Sequence, residues 1–262
     1  MDVIIQPTAA RAEWLAAALI AKALRAKPDL VLGLATGRTM EGVYGHLARL
    51  HREAGLDFSL CRTFNLDEYI GLGADHPGSY RHYMREQLFR RVNLNPAGTH
   101  LPNGLAADLS AECAAYEARI QSCGGIDLQL LGIGSDGHIG FNEPLSALRS
   151  RTREKALTQA TREQNAAMFG GQPENVPARA ITMGVGTILD SRRCLLLAVG
   201  GDKARILSKA VEGPITSMIS ASALQLHASC TVIVDEAAAA QLEGRDYYRW
   251  IFVNEPEWAE FR

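Results

Sequence analysis

No two cysteines in this chain stand at a spacing that makes chemistry. Cys61, Cys113, Cys123, Cys194 and Cys230 are odd in number, scattered and without a CxxC pair, which argues against both a disulfide framework and a structural zinc site. An excess of one charge is missing too. Lys plus Arg number 27 against 29 for Asp plus Glu, a net charge of -2, so there is no broad basic field for nucleic acid or an anionic membrane, and neither is expected as a partner. No apolar run reaches about 18 residues, and Met1 to Pro7 has no basic segment followed by an apolar stretch, so the sequence predicts a soluble, cytoplasmic protein. The nucleotide-binding pattern GxxxxGK[ST] is absent, GxGxxG does not follow the first strand, and no metal-ligand cluster is visible. The expected cofactors are therefore none, neither NAD nor metal.

What is present is 262 residues with 47% hydrophobic content, enough for one large α/β domain spanning 1–262. Its centre is Leu130 to Pro144, LLGIGSDGHIGFNEP. An apolar run reads as the end of a buried strand and passes at once into Gly134-Ser135-Asp136-Gly137, a turn-forming sequence. Asp136, His138 and Glu143 thus lie just past the carboxyl end of a strand, where α/β folds place ligands. An imidazole with a carboxylate on one nitrogen can pass a proton through the other. The residues alone leave a plainer reading open, in which Asp136 caps a turn, His138 packs on Phe141 and Glu143 is solvated.

The rest of the chain alternates strands with helices. Thr8 to Ala26 has a helical apolar period stopped by Pro28, and Asp29 to Leu34 is an apolar run typical of a strand buried on both faces. Ala35-Thr36-Gly37-Arg38-Thr39 then opens a second helix. Gly37 would let a phosphate approach the free N–H groups, with Thr36 and Thr39 adding hydroxyls and Arg38 charge; alternatively Thr39 only caps the helix. Cys61 to Leu66 reads as a strand ending at Asp67 and Glu68, adjacent acids of which only one can face a given pocket. Ser79 is a candidate cap for a helix from Tyr80 to Val92, and Leu109 to Ser122 for another, ended by Gly124-Gly125. Further strands are expected at Asp127 to Leu131, Ala180 to Met183, Cys194 to Val199 and Thr231 to Val234, with a helical turn at Val185 to Leu189 and a helix at Ala237 to Leu242. Gly200-Gly201-Asp202-Lys203 is a second strand-to-helix junction able to hold an anion. Arg149, Arg151, Arg153 and Lys155 form an alternating basic run that reads as a solvated face, and Tyr247 to Phe252 an aromatic packing segment. The alternation argues for an α/β, Rossmann-like fold, a mainly parallel sheet with helices on both faces.

Phe64-Asn65-Leu66-Asp67-Glu68-Tyr69, His76-Pro77 with Ser79-Tyr80, and Asp136-Gly137-His138 with Asn142-Glu143-Pro144 stand in this order and at these separations. Together they resemble the glucosamine-6-phosphate deaminase family, and the likeness covers most of the chain. In the related 6-phosphogluconolactonases the DGH segment typically ends in Phe-Pro, so Asn142-Glu143-Pro144 speaks for the deaminase branch. The resemblance implies the same fold and a sugar-phosphate substrate: D-glucosamine 6-phosphate and water would give D-fructose 6-phosphate and ammonia. It makes His138 the proton shuttle of ring opening, Asp136 and Glu143 its orienting carboxylates and Asp67 the base between C2 and C1. Thr36, Gly37, Arg38, Thr39 and Lys203 would anchor the phosphate. A related substrate such as galactosamine 6-phosphate stays open; a lactonase or a non-catalytic sensor fits less well.

The resemblance also marks departures. Thr161 to Pro177 would be a lid, yet the position of the lid arginine that contacts phosphate in family members is Ala167, before Met168 and Phe169. Arg162 and Arg179 are the substitutes considered, although neither sits at the matching place. Allosteric members use part of the Arg149 to Lys155 region at a subunit interface, but their carboxyl ends differ from this one, so regulation is less expected. Members range from monomers to hexamers, which leaves a homo-oligomer open.

Overall fold

The computed structural model describes all residues, Met1–Arg262. Its strands are β1 Asp2–Gln6, β2 Val31–Leu34, β3 Arg62–Asn65, β4 Asp67–Tyr69, β5 Thr99–His100, β6 Leu128–Leu131, β7 Arg153–Ala156, β8 Arg179–Thr182, β9 Cys194–Ala198 and β10 Cys230–Asp235. The helices are α1 Ala9–Ala26, α2 Arg38–Ala54, α3 Tyr80–Met84, α4 Leu109–Ser122, α5 Gln159–Asn165, α6 Val185–Leu189, α7 Ala204–Val211 and α8 Arg245–Asn254. Seven strands form one sheet in the order β1-β10-β9-β6-β2-β3-β5, every pair parallel. A smaller antiparallel sheet, β4-β8-β7, stands beside it.

The parallel sheet explains the apolar strands: β2, β6 and β9 are buried along their whole length because helices cover both faces. The crossovers through α1 and α2 run one way across the sheet, those through α4 and α7 the other. With right-handed connections the helices then fall on opposite faces. Thr8 caps α1 by accepting the Arg11 N–H, and Gly55 in the left-handed region (φ 62°) ends α2. The five cysteines are unpaired, and no helix is long and apolar enough to cross a membrane.

The structure departs from the sequence reading in several elements. The helix expected from Tyr80 to Val92 is α3 followed by a π-helical turn at Arg85–Phe89. Ala237 to Leu242 forms only a short 3-10 turn, Ala238–Gln241, directly after β10. The basic run is no uniformly solvated face. Its second half, Arg153 and Lys155, lies in strand β7, in which Arg153 turns inward to donate to Asn142 Oδ1 (2.9 Å) and Ser146 Oγ (3.0 Å). Arg151 pairs with Glu117 (2.7 Å) and Asp190 (2.5 Å). The Thr161 to Pro177 segment contributes Phe169 to the core, its ring 5.4 Å from that of Tyr69. In the aromatic tail Tyr247 and Trp250 stay exposed and stack on each other, while the burial falls to Trp258 and Phe261 beyond α8.

Candidate active site

Strand order reverses between β2 and β6. Chain from β2 leads outward to β3 and β5, chain from β6 outward to β9 and β10, and the loops leaving the two strands diverge at their carboxyl ends. A cleft of about 610 Å³ opens there, lined by segments following β2, β3, β6 and β9. Asp67, His138, Thr36, Gly37, Arg38, Thr39 and Lys203 all line it. Asp136 and Glu143 stand behind His138 rather than in the wall.

The loop after β6 folds tightly because its glycines permit it. Gly134 donates to His138 O (2.9 Å), Gly137 to Gly134 O (3.0 Å), and Gly137 adopts φ 89°. A Cβ on Gly134 would stand 2.3 Å from the imidazole, so the ring lies directly over a glycine. His138 is 9% exposed, and its Nδ1 is 2.7 Å from Asp136 Oδ1, at hydrogen-bond distance though not in ideal alignment. Glu143 Oε2 is 3.8 Å from the same nitrogen. Both acids thus address Nδ1. Asp136 also accepts the His138 backbone N–H (3.1 Å), so it both closes the turn and orients the ring. Its half-burial pushes its carboxyl up, but the hydrogen bond and charge of His138 outweigh this and hold it below the ordinary aspartate value. The donor atoms of Asp136, His138 and Glu143 lie within 4.8 Å of one another, a grouping with metal-ligand residue types that the sequence did not reveal. The 2.7 Å N···O separation is that of a shared proton; two zinc ligands about 2 Å from a tetrahedral metal stand farther apart.

Asp67 and Glu68 point to opposite sides of β4. Asp67 is 5% exposed and faces the cleft. Burial, then the nearby Glu68 carboxylate, push its carboxyl from 3.8 to about 8, against the pull of the Phe141 N–H. Glu68 faces away and serves the fold. It accepts from the N–H groups of Tyr69, Tyr80 and Arg81 and from Ser79 Oγ, each at 2.9 Å, while Ser79 caps α3 as its position in the sequence suggested. Burial still pushes the Glu68 carboxyl up, opposed by those bonds.

Two corners that carry the cleft's cations face it. At the first, Gly37 (φ 120°) precedes α2, whose first residue is Arg38, so Thr39 lies inside the helix and is not its cap. At the second, Gly200-Gly201 lead into a turn carrying Lys203, whose Nζ is 3.6 Å from Asp202 Oδ2. Ala167 lines the cleft, but neither proposed substitute for the lid arginine does. Arg162 donates backwards to Val176 O and Glu174 O, and Arg179 pairs with Glu154 (2.9 Å). The cleft's cations are Arg38 and Lys203.

Sequence reasoning missed three residues here. Tyr80 lines the cleft beside Thr36, although its position in a turn suggested only a helix start. Tyr69, wholly buried, has its Oη 3.3 Å from that of Tyr80 and accepts from Asn165 (3.0 Å). Glu13 on α1 reaches the cleft edge, its carboxyl pushed up by burial and then by Asp235. Nothing in a single helical period marks Glu13.

An all-parallel sheet with a carboxylate and a carboxylate-oriented imidazole at its switch point, flanked by two cationic corners, is the frame of an α/β enzyme doing acid–base chemistry on a small anion. The chain belongs to the glucosamine-6-phosphate isomerase/6-phosphogluconolactonase family, matching it over residues 6–233. It is 51% identical to a glucosamine-6-phosphate deaminase of Arthrobacter sp. (strain FB24), over 98% of this chain and 99% of that one. It is also 51% identical to that of Hahella chejuensis, over 96% and 95%. Among solved structures, a monomeric glucosamine-6-phosphate deaminase superposes with a TM-score of 0.90 at 46% identity, covering 92% of this chain and 100% of that one. The 6-phosphogluconolactonase of Trypanosoma cruzi shares the fold, with a TM-score of 0.73 at 20% identity over 92% of this chain and 97% of that one.

Proposed function

We propose that this enzyme converts D-glucosamine 6-phosphate and water into D-fructose 6-phosphate and ammonia, acting as a single domain over residues 1–262. The observation that carries the reading is the pairing in one cleft of a buried carboxyl, pushed up to about 8 by that burial, with a carboxylate-oriented imidazole. The reaction needs two proton carriers. His138 moves the proton between the ring oxygen and the C1 hydroxyl that opens the pyranose, with Asp136 fixing Nδ1 so that Nε2 serves the sugar. Asp67 takes the C2 proton and returns it to C1. The two carbons are adjacent, so one carboxyl reaches both, and a proton affinity close to the working pH suits a group that must accept and then donate. Enolamine formation and reprotonation leave an imine at C2; water adds there, the C–N bond breaks, and ammonia departs as the ketone forms.

Thr36, Gly37, Arg38, Thr39 and Lys203 hold the phosphate at the far end, where remote binding energy fixes the reacting carbons. With Ala167 uncharged, both cations come from loops at the sheet rim and none from the lid. The reading places the protein in the cytoplasm, with a sugar phosphate as its partner and no requirement for nucleic acid or membrane. The test is ammonia release from purified protein given glucosamine 6-phosphate, with galactosamine 6-phosphate and 6-phosphogluconolactone in parallel. Ammonia from the gluco sugar is the expected result. Turnover of the galacto sugar alone would move the substrate, and hydrolysis of the lactone alone would overturn the reading.

A further inference from the structure

Glu143 is 2% exposed, yet at 3.8 Å it stands beyond direct hydrogen bonding to His138 Nδ1. What fixes it comes from behind. Its Oε1 accepts the Thr158 N–H (3.1 Å) and its Oε2 the Thr158 hydroxyl (3.3 Å). Thr158 is also the N-cap of α5, its Oγ accepting the Thr161 N–H (3.2 Å). The other end of the same helix is tied as well. Asn165 donates to Tyr69 Oη (3.0 Å), Tyr69 Oη is 3.3 Å from Tyr80 Oη, and Tyr80 lines the cleft together with Thr36 of the loop after β2. A helix that forms one wall of the cleft, through Gln164 and Asn165, is thus joined at its start to the imidazole cluster and at its end, through Tyr69, to Tyr80 in the opposite lining of the cleft.

We infer that α5 is a positioning element for the reaction: through Thr158 it holds the Glu143 carboxylate against His138, and through Asn165 it takes its register from Tyr69 and Tyr80. The proposal rests on the deaminase reading of the cleft. Thr158 does not line the cleft and is a positioning residue, acting through Glu143. A displacement of α5 therefore reaches the imidazole without touching it. The plain structural role, a cap for a short helix, predicts something different, because a cap acts on the helix whether or not Glu143 carries its charge.

The experiment compares Thr158→Val, Thr158→Ser, Glu143→Gln and the Thr158→Val/Glu143→Gln pair. It measures kcat and KM for ammonia release, and the ¹⁵N signal of the His138 imidazole in the substrate-free protein. Valine keeps the size and the backbone N–H and removes the hydroxyl. A hydrogen bond to a charged acceptor sets the expected scale, a fall in kcat of about tenfold or more with KM little changed. Serine restores kcat, valine adds little in the Glu143→Gln background, and the His138 signal moves in Thr158→Val but not in Thr158→Ser. An equal loss in both backgrounds, or an unmoved His138 signal, overturns the proposal. Tyr69→Phe removes the hydroxyl under Asn165 and keeps the ring; an unchanged imidazole signal there would remove the Asn165 end from the mechanism. If the wild type releases no ammonia the functional reading fails, while the imidazole signal still tests the strut by itself.

Discussion

Asp67 holds its proton up to about pH 8 in the fold, against an ordinary value of 3.8, and this has a sign for stability as well as for rate. The folded chain binds the proton more tightly than the unfolded one. Stability from this group is fully present below about pH 4, declines as pH rises, and is gone above about pH 8. Asp67→Asn removes the slope. Measured by denaturant unfolding at pH 5 and pH 9, the variant should gain on the wild type at the higher pH by roughly a few kcal/mol. Turnover tells the same story from the other side: kcat/KM should climb towards a plateau above about pH 8, and Asp67→Asn should lower kcat by roughly 10²- to 10⁴-fold with KM nearly unchanged. A variant that keeps its turnover would strip Asp67 of its role. Asp67 and His138 were legible in the sequence because each sits at a strand end inside a recognisable run of residues. Thr158 and Glu13 were not, because what they meet, the Glu143 carboxylate and a cleft built from later segments, is not written in their own local pattern.

At the scale of elements, β4 and α3 are held together by one side chain. Glu68 gathers three backbone N–H groups and the Ser79 hydroxyl, and a glutamine there offers a single neutral acceptor and turns a donor towards donors. Glu68→Gln should cost about 2–4 kcal/mol in denaturant unfolding. Because the Glu68 charge also raises Asp67, the same change should move the acid limb of kcat/KM to lower pH; an unmoved limb would show that burial alone sets the Asp67 proton. The elements the sequence revealed were those whose pattern is made by burial. The helix at Leu109 to Ser122 was read to the residue, and the apolar runs of β2, β6, β9 and β10 stood out. β4 was invisible as a strand, since Asp-Glu-Tyr has no strand pattern of its own and is extended through its register with β8, Asp67 opposite Thr182. β7 hid behind charge: an edge strand alternates polar residues, and Arg-Glu-Lys-Ala reads as solvated surface until Arg153 is seen to turn inward. β1 and β5 lie at the edges of the large sheet and went unread, the two-residue β5 for want of length.

For the whole molecule, the parallel sheet sends the carboxyl ends of its strands to one rim. Segments numbered near 36, 67, 138 and 203 meet there although no local pattern joins them. The two cations stand on opposite sides of the switch point, Arg38 on the β2–α2 corner and Lys203 beyond β9, so a phosphate held by both, as proposed, would tie the two halves of the sheet together. Binding to the folded state alone stabilises by about 2.7 kcal/mol at a hundredfold excess over Kd, which for a chain of this size is an upward Tm shift of roughly 5–10 °C. Fructose 6-phosphate at that excess should produce the shift in thermal unfolding, and fructose at the same concentration should not. Arg38→Ala should shrink it through a raised Kd, and adding Lys203→Ala should abolish it, since no cation of the Thr161 to Pro177 segment lines the cleft to compensate. An Arg38→Ala protein that keeps the whole shift would show that the phosphate is held elsewhere, and fructose that matches its phosphate would show that the cleft's cations do not recognise it at all.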